Sequence, residues 1–406
     1  MNIRTITCFL DPGFPVDAER LSSMAETLAK MKSALEAASY TVQTVRLASV
    51  PFPSLLGADA SQAVRFALEL EALCFAAHID YVTLGPVRLQ DAPDFCRVIP
   101  EIIGATENVF ASAIIADPAA GVSLPAVRLA ADIIHRCATV TPDGFGNLRF
   151  AALANVPPGT PFFPAAYAGD GAPAFAIGVE AAPLAVSAFA EASSLAEARA
   201  RLISDIELQA EAISGVVKKF TGWRGLKFGG LDFSLAPYPE EARSVGTALA
   251  RLSGSRVGEH GTLTAAAFLA DTLDRAKFKR VGFSGLFLPV LEDGVLARRA
   301  AEGVLTVSDL LLYCSVCGTG LDTLPLPGDT SPEALAAILA DVGALALRLN
   351  KPLTARLMPI PGKQAGDEVK FDFQYFAPSR VLAPRASGLG GLFASAGAVD
   401  IAPRAR

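Results

Sequence analysis

The sequence predicts an α/β protein built on a largely parallel sheet, and three observations predict it. Short runs that alternate apolar and polar residues repeatedly give way to apolar stripes at helical spacing. One stretch near the C-terminus, Leu321 to Met358, reads as strand, helix and parallel strand with its boundaries marked by turn and cap residues. The composition supplies a large core: of 406 residues 51% are hydrophobic and 19% charged, with a mean hydropathy of +0.40, far from the disordered class.

Taken in order, Ile3 to Leu10 is a first strand, closed by Asp11-Pro12-Gly13. Ala18 to Ala38 is helical, with Leu21, Met24, Leu28, Met31 and Leu35 on one face. Tyr40 to Ala48 alternates as a strand, and Ala60 to Ala77 is again helical. Tyr81 to Leu84 starts a third strand, stopped by Gly85-Pro86. Asn108 to Ala116 is a strand and Leu124 to Cys137 a helix.

After the turn at 143–147, Arg149 to Val156 is a strand. Four prolines in Val156 to Tyr167 forbid regular structure there. Pro173 to Glu180 follows as a strand. Ser194, with Glu197 three residues on, forms a capping box for a long helix. Lys227 to Phe233 carries Gly229-Gly230 and reads as a strand that another backbone approaches closely. Helices at 242–252 and 263–276 lead to a strand near Val281, then to glycine turns at 282–285 and 292–294.

In the strand–helix–strand unit, Ser331 suits an N-cap, Pro332 the first helical position and Glu333 the first turn. Leu335, Ile338, Leu339, Val342, Leu345 and Leu349 make one apolar stripe, which Asn350 and Pro352 end. Leu353, Ala355 and Leu357 then alternate with Thr354, Arg356 and Met358. A parallel pairing places Asp322 and Arg356 on neighbouring strands, close enough to pair or to share a ligand. No linker or composition shift divides the chain, so one domain is expected over 1–383. The segment 384–406, small and glycine-rich with Arg404 and Arg406 at its end, reads as a flexible tail.

The same numbers exclude function classes. A net charge of −6 and a pI near 5.3 argue against a nucleic-acid groove. No apolar run reaches membrane-spanning length free of Pro, Gly or charge, and the N-terminus lacks a signal peptide's apolar core. Six dispersed cysteines fit reduced thiols. The expectation is a soluble cytoplasmic protein, a homodimer or higher homo-oligomer, whose partner is a small-molecule ligand.

Four runs carry a resemblance: FFPAAY at 162–167, FGGLDFSLAP at 228–237, CGTGLDTLPLPGD at 317–329 and MPIPGK at 358–363. Together and in this order they resemble the bacterial and archaeal family known as domain of unknown function 711, or uncharacterised protein family 0210. The resemblance implies a fold like that of the glycyl-radical enzymes, an α/β barrel of about ten strands made of two parallel half-sheets, with reactive cysteines on a loop inside. It implies no particular reaction. The family commonly has histidine after the tyrosine of the first run, where this chain has Ala168. Glycyl-radical chemistry needs a glycine followed by an aromatic residue near the C-terminus; Arg385-Ala386-Ser387-Gly388 is followed by Leu389, so a non-radical protein is expected.

Candidate chemistry gathers around the glycine turns. Cys314 and Cys317 form a C-x-x-C that reads as a redox pair, half a zinc site or a nucleophile, or else as two small buried hydrophobes. His78, His135 and His260 give no spacing that completes a zinc site. Metal and cofactor stay unassigned. Asp322, Asp329, Asp232 and Glu292 are acids beside glycine turns, fit for acid–base work or a divalent cation, or for capping turns and pairing with arginine. Arg4, Arg356 and Lys363 are the basic candidates. Arg356, between apolar neighbours, is expected to be buried and therefore paired with an acid or an anionic ligand. Tyr167 and Phe163 could line a pocket, and His260 sits at a helix start. The reading is a non-radical enzyme on a small anionic metabolite: Cys317, Asp322 and Glu292 catalytic; Asp232, Arg356, Tyr167, Lys363 and His260 substrate-binding. Its rivals are a sensor that holds a ligand without turnover and a purely structural oligomer.

Overall fold

Strand runs of small and β-branched residues assemble into one large sheet and a separate antiparallel pair, Glu368–Val369 with Ser379–Arg380, in the computed structural model, which describes residues 1–395 and 397–404. The strands in chain order are β1 (Asn2–Leu10), β2 (Thr41–Ser49), β3 (Tyr81–Val87), β4 (Val109–Asp117), β5 (Gly121–Ser123), β6 (Phe150–Ala154), β7 (Ala174–Glu180), β8 (Lys227–Asp232), β9 (Gly320–Pro327), β10 (Leu353–Ile360), β11 (Glu368–Val369), β12 (Ser379–Arg380) and β13 (Ala398–Val399). The main sheet runs in the order β8-β7-β1-β2-β3-β4-β6-β10-β9, with β5 and β13 attached beside β4. From β1 to β6 the main-path strands are mutually parallel. At the two flanks β7 runs antiparallel to β1, and β10 antiparallel to β6, each followed by a parallel partner.

Helices make the crossovers that parallel pairing demands, and they cover the sheet so thoroughly that every residue of β10 is buried. The helix Leu124–Cys137 begins and ends as the sequence predicts. Ser331 accepts from the Ala334 amide at 3.2 Å and caps the helix Pro332–Arg348. That helix buries Leu335, Ile338, Leu339 and Val342, whereas Leu349 lies past its end and is exposed. Asn350, at φ 49, turns the chain out. The capping box at Ser194 is only half made: Ser194 accepts from Glu197, but the Glu197 carboxylate reaches back to Ser193 instead.

The ladder does not close into the expected ten-stranded barrel among the described residues. It ends at β8 and β9, and each edge makes one further bridge to a common segment, Leu231 with Arg280 and Asp322 with Pro289. The strand expected near Val281 shrinks to that single bridge because glycine turns interrupt it, Gly282 at φ 67 among them. Residues of the expected tail lie along the body. β13 pairs with β5, and the Arg404 amide donates to the Arg348 carbonyl at 3.2 Å. Arg406 lies outside the described residues.

The βαβ unit forms as read. Ala355 pairs with Leu321 and Leu357 with Leu324, so Arg356 alone faces two residues, Asp322 and Thr323. This is a bulge, with Thr323 at φ 42, and a bulge re-aims the side chains on its strand. Ahead of it, Gly320 sits at φ 105, where a Cβ would overlap the Thr354 carbonyl oxygen. Gly320→Ala is therefore expected to lose about 3 kcal/mol in urea unfolding, whereas Gly215→Ala, in an exposed helical position with open space where the Cβ would sit, should gain up to about 1 kcal/mol.

A candidate anion site inside the sheet

Charge collects where the bulges lie. In β1 the pairing with β7 slips between Ile3 and Thr5, leaving Arg4 at the irregularity; in β9 the bulge carries Asp322 opposite Arg356 of β10. Glu292 arrives from a loop fixed by its neighbour. Asp293 is buried and caps the helix Gly294–Ala301 through the Val295 and Leu296 amides at 2.9 and 3.0 Å. Ser244 holds the same carboxylate at 2.6 Å.

The four side chains form one line of ion pairs. Arg4 meets Glu292 at 3.0 Å, Glu292 meets Arg356 at 2.8 Å, and Arg356 meets Asp322 at 2.6 Å. Their side chains are 9 to 14% exposed, and such charges persist inside a protein only when paired. Burial, only partly offset by Arg356, raises the Asp322 pKa, and Glu292 raises it further. Burial opposes the charge on Arg356, yet the joint attraction of Asp322 and Glu292 carries its pKa above the ordinary value.

This line of charges borders a cavity of about 440 Å³. The same wall carries Arg46 of β2, whose environment differs. Its Nε donates to Thr44 at 2.8 Å, and the rings of Phe163 and Tyr81 lie 5.1 and 5.5 Å from its guanidinium. Among the described residues no carboxylate pairs with it. Burial first, and then the charge of Arg4, lower its pKa to about 10. Arg149 also reaches the wall but is spent on backbone, donating to the carbonyls of Ile103, Thr106 and Val109 at 2.5, 2.8 and 3.3 Å.

Of the residues singled out from the sequence, Asp322, Glu292, Arg356, Arg4 and Phe163 line this cavity, whereas Asp232, Asp329, Tyr167, Lys363, His260, Cys314 and Cys317 do not. Asp232 is fully buried and accepts from the Ser234 hydroxyl at 2.5 Å and the Phe283 and Ser284 amides at 2.8 Å each. It pins the 282–285 turn and does not reach the cavity that Asp322 borders. Tyr167 donates to the Val156 carbonyl at 2.8 Å and braces the proline-rich loop. Lys363 and His260 are exposed elsewhere.

Cys317 is 1% exposed and packed in the core. A hydrogen bond from Cys314 holds its thiol pKa below the ordinary value, against burial, with Lys351 and the Gly320 and Thr319 amides assisting. Lys351 clasps the carbonyls of Cys314 and Cys317. Among the described residues no three His, Cys, Asp or Glu side chains gather as a metal site, and no helix is long and apolar enough to cross a membrane.

Residues 1–374 match the family described as Uncharacterised ACR (DUF711). The chain belongs to the DUF711 family. A UPF0210 protein of Pyrobaculum islandicum is 33% identical over 398 residues, covering 90% of this chain and 87% of that one. One from Pyrobaculum aerophilum is 35% identical over 346 residues, 80% and 75% of the two chains. Another from Neisseria gonorrhoeae is 34% identical over 286 residues, 68% and 63%. None of these descriptions states an activity.

The DUF711 match spans Arg4, Arg46, Glu292, Asp322 and Arg356, and stops one residue before Tyr375, whose ring lies 5.2 Å from the Arg4 guanidinium. Arg46 and Tyr375 are what the sequence reading missed. For Arg46 a signal existed: it sits between Val45 and Leu47 as Arg356 sits between Ala355 and Leu357. Tyr375 gives none, since it lies in an irregular segment between β11 and β12.

Two outcomes follow from this geometry. Glu292→Gln leaves two arginines on one neutral amide and is expected to cost about 3 kcal/mol in urea unfolding, part of it recovered by adding Arg4→Met. Burial raises the Asp232 pKa from 3.8 to about 6. The folded state therefore favours the protonated acid, and stability from this group is present below about pH 4 and lost as pH rises through about 6. Asp232→Asn is expected to be less stable throughout, since the 283 and 284 amides donate to different oxygens and the amide nitrogen that replaces one of them cannot accept. Its fall in stability between those pH values should be smaller than the wild type's by roughly 2 to 3 kcal/mol.

Proposed function

We propose that the cavity binds a small anionic metabolite, anchored on Arg46, and that Asp322 moves a proton on it in non-radical acid–base chemistry. One observation carries the reading. Arg4 and Arg356 are neutralised by Glu292 and Asp322, whereas Arg46 stands on the same wall with its terminal nitrogens unpaired and its pKa lowered. A half-buried cation repelled by Arg4 adds little to stability; an anionic ligand supplies the missing partner.

Asp322 suits the acid–base role because only its Oδ1 is held by an arginine and because burial raises its pKa. Cys317, sealed away from the wall, gives thiol chemistry no support. Gly388 packs against Glu333 at the start of the helix Pro332–Arg348, away from the cavity wall, which favours the non-radical reading. The two bridges to the 280–289 segment support reading the sheet as a ten-stranded barrel of two half-sheets, like the glycyl-radical fold. A cytosolic homo-oligomer completes the proposal.

A second reading, capture without turnover by a sensor, has its own support. Both oxygens of Glu292 are held by arginines, which removes one of the two acids from proton transfer. Mass spectrometry of ligand recovered after incubation separates the two, finding it altered in one case and unchanged in the other. For the shared claim, Arg46→Met is expected to abolish the thermal stabilisation that small anions confer. The unliganded variant should keep its stability or gain about 1 kcal/mol, since a repelled cation is removed.

A further inference from the structure

We infer that the ligand is a monocarboxylate with a flat or apolar body, rather than a phosphate ester or a dicarboxylate. The inference deepens the proposed function and rests on the cavity being an anion site. Charge comes first. Arg4 and Arg356 balance Glu292 and Asp322 in one line, and the lining adds Arg46, Arg149 and Glu107, which leaves the chamber one positive charge in excess. Arg149, also on the wall, has its charge turned to the backbone carbonyls at the end of the helix Ile99–Ala105. A second negative charge on the ligand would enter without a partner, and a buried unpaired charge costs far more than it gains.

The shape of Arg46 points the same way. Its Nε is given to Thr44 and two rings pack against its guanidinium. What remains is the pair of terminal nitrogens, the edge that a single planar carboxylate engages with two hydrogen bonds. A carboxylate fills a small part of about 440 Å³. Beyond Arg46 the lining carries a cluster of aromatic rings, with Gln43, Asn108 and Thr141 as polar side chains among them: Tyr81, Phe110 and Phe163 run edge to face with centroids 5.4 Å apart at each step, and Phe162 meets Phe287 at 4.9 Å. Such walls favour a ring or an unsaturated chain over a polyhydroxylated body.

The test is calorimetric titration of the full chain at about pH 8, where carboxylates and aryl phosphates are fully ionised. The probes are benzoate and phenylacetate, phenyl phosphate, phthalate, acetate and neutral benzamide. The two aryl monocarboxylates are expected to bind at least about tenfold tighter than each of the others. Arg46→Gln should remove that binding, and Arg46→Lys, which keeps the charge but not the fork, should weaken it by about tenfold. Asp322→Asn adds one positive charge to the chamber and should narrow the gap between phenyl phosphate and benzoate. Melting curves of each variant separate lost binding from lost folding. If phenyl phosphate or phthalate binds as tightly as benzoate, and Arg46→Gln abolishes it, the monocarboxylate class is wrong while the anion site stands. Acetate matching benzoate would overturn the apolar body. No anion binding, or binding indifferent to Arg46→Gln, would overturn both this inference and the proposed function.

Discussion

The line of charges from Arg4 through Glu292 and Arg356 to Asp322 joins the first strand of the chain to β9 and β10. Each contact near 3 Å is worth on the order of 5 kcal/mol in a medium of moderate polarity, and removing each ion from water costs several kcal/mol in return. Net stabilisation is therefore small, and the effect of the line lies in position. Any arrangement that separates Arg4 from Glu292, or Arg356 from Asp322, strands a buried charge and is disfavoured by more than the pair itself contributes. That asymmetry fixes where the sheet's flanks lie relative to the 289–292 loop, although the ladder between them is interrupted. The bulges at Arg4 and at Asp322–Thr323 belong to the same solution, since regular pairing would aim these side chains along the ordinary pleat.

Arg46 makes sense only against that balanced line. Two acids serve two arginines, and the third is left with a threonine and two aromatic rings. The rings offer a guanidinium a weak attraction, and Tyr81, Glu292 and Tyr375 attract its charge without pairing with it, too little together to offset burial and the repulsion of Arg4, as its lowered pKa records. On the proposed function, a site that holds an unfavourable charge in the unliganded state has interaction energy to release when an anion arrives. This is the ordinary relation between a binding site and the stability lost in building it.

Much of this was legible in the residues, and the exceptions have physical causes. The βαβ unit could be read because Ser331, Pro332 and Asn350 mark its ends locally and the apolar stripe marks its face. From parallel pairing alone Asp322 and Arg356 had to be neighbours, and they form an ion pair. Glu292 was visible as an acid beside a glycine turn, but its position depends on Asp293 being swallowed as a helix cap, which is a tertiary outcome. Asp232 carries the same local signature as Asp322, an acid in a glycine-rich strand end. What separates them is which backbone amides fold back onto the carboxylate, and those come from a segment fifty residues away. Cys317 misled for a similar reason: a C-x-x-C beside a glycine turn says nothing of whether the thiols face a cavity or the core. The strand near Val281 failed because glycine turns outweighed a short apolar run that had no full partner strand on either side.

The choice between turnover and capture narrows to one oxygen atom. Glu292 presents both oxygens to arginines, so taking up a proton would weaken two ion pairs at once and leave Arg4 and Arg356 underbalanced. Asp322 gives only Oδ1 to Arg356, through the guanidinium Nε, and its raised pKa means that the proton it would accept is less disfavoured than on an ordinary carboxylate. When that proton binds, Arg356 keeps Glu292 as a partner, so the line bends without breaking. An anion seated on Arg46 adds negative charge to the chamber and pushes the Asp322 pKa up further. On the proposed function, ligand binding and protonation of Asp322 would therefore be coupled with positive sign, and the bound ligand itself would help load the acid that acts on it.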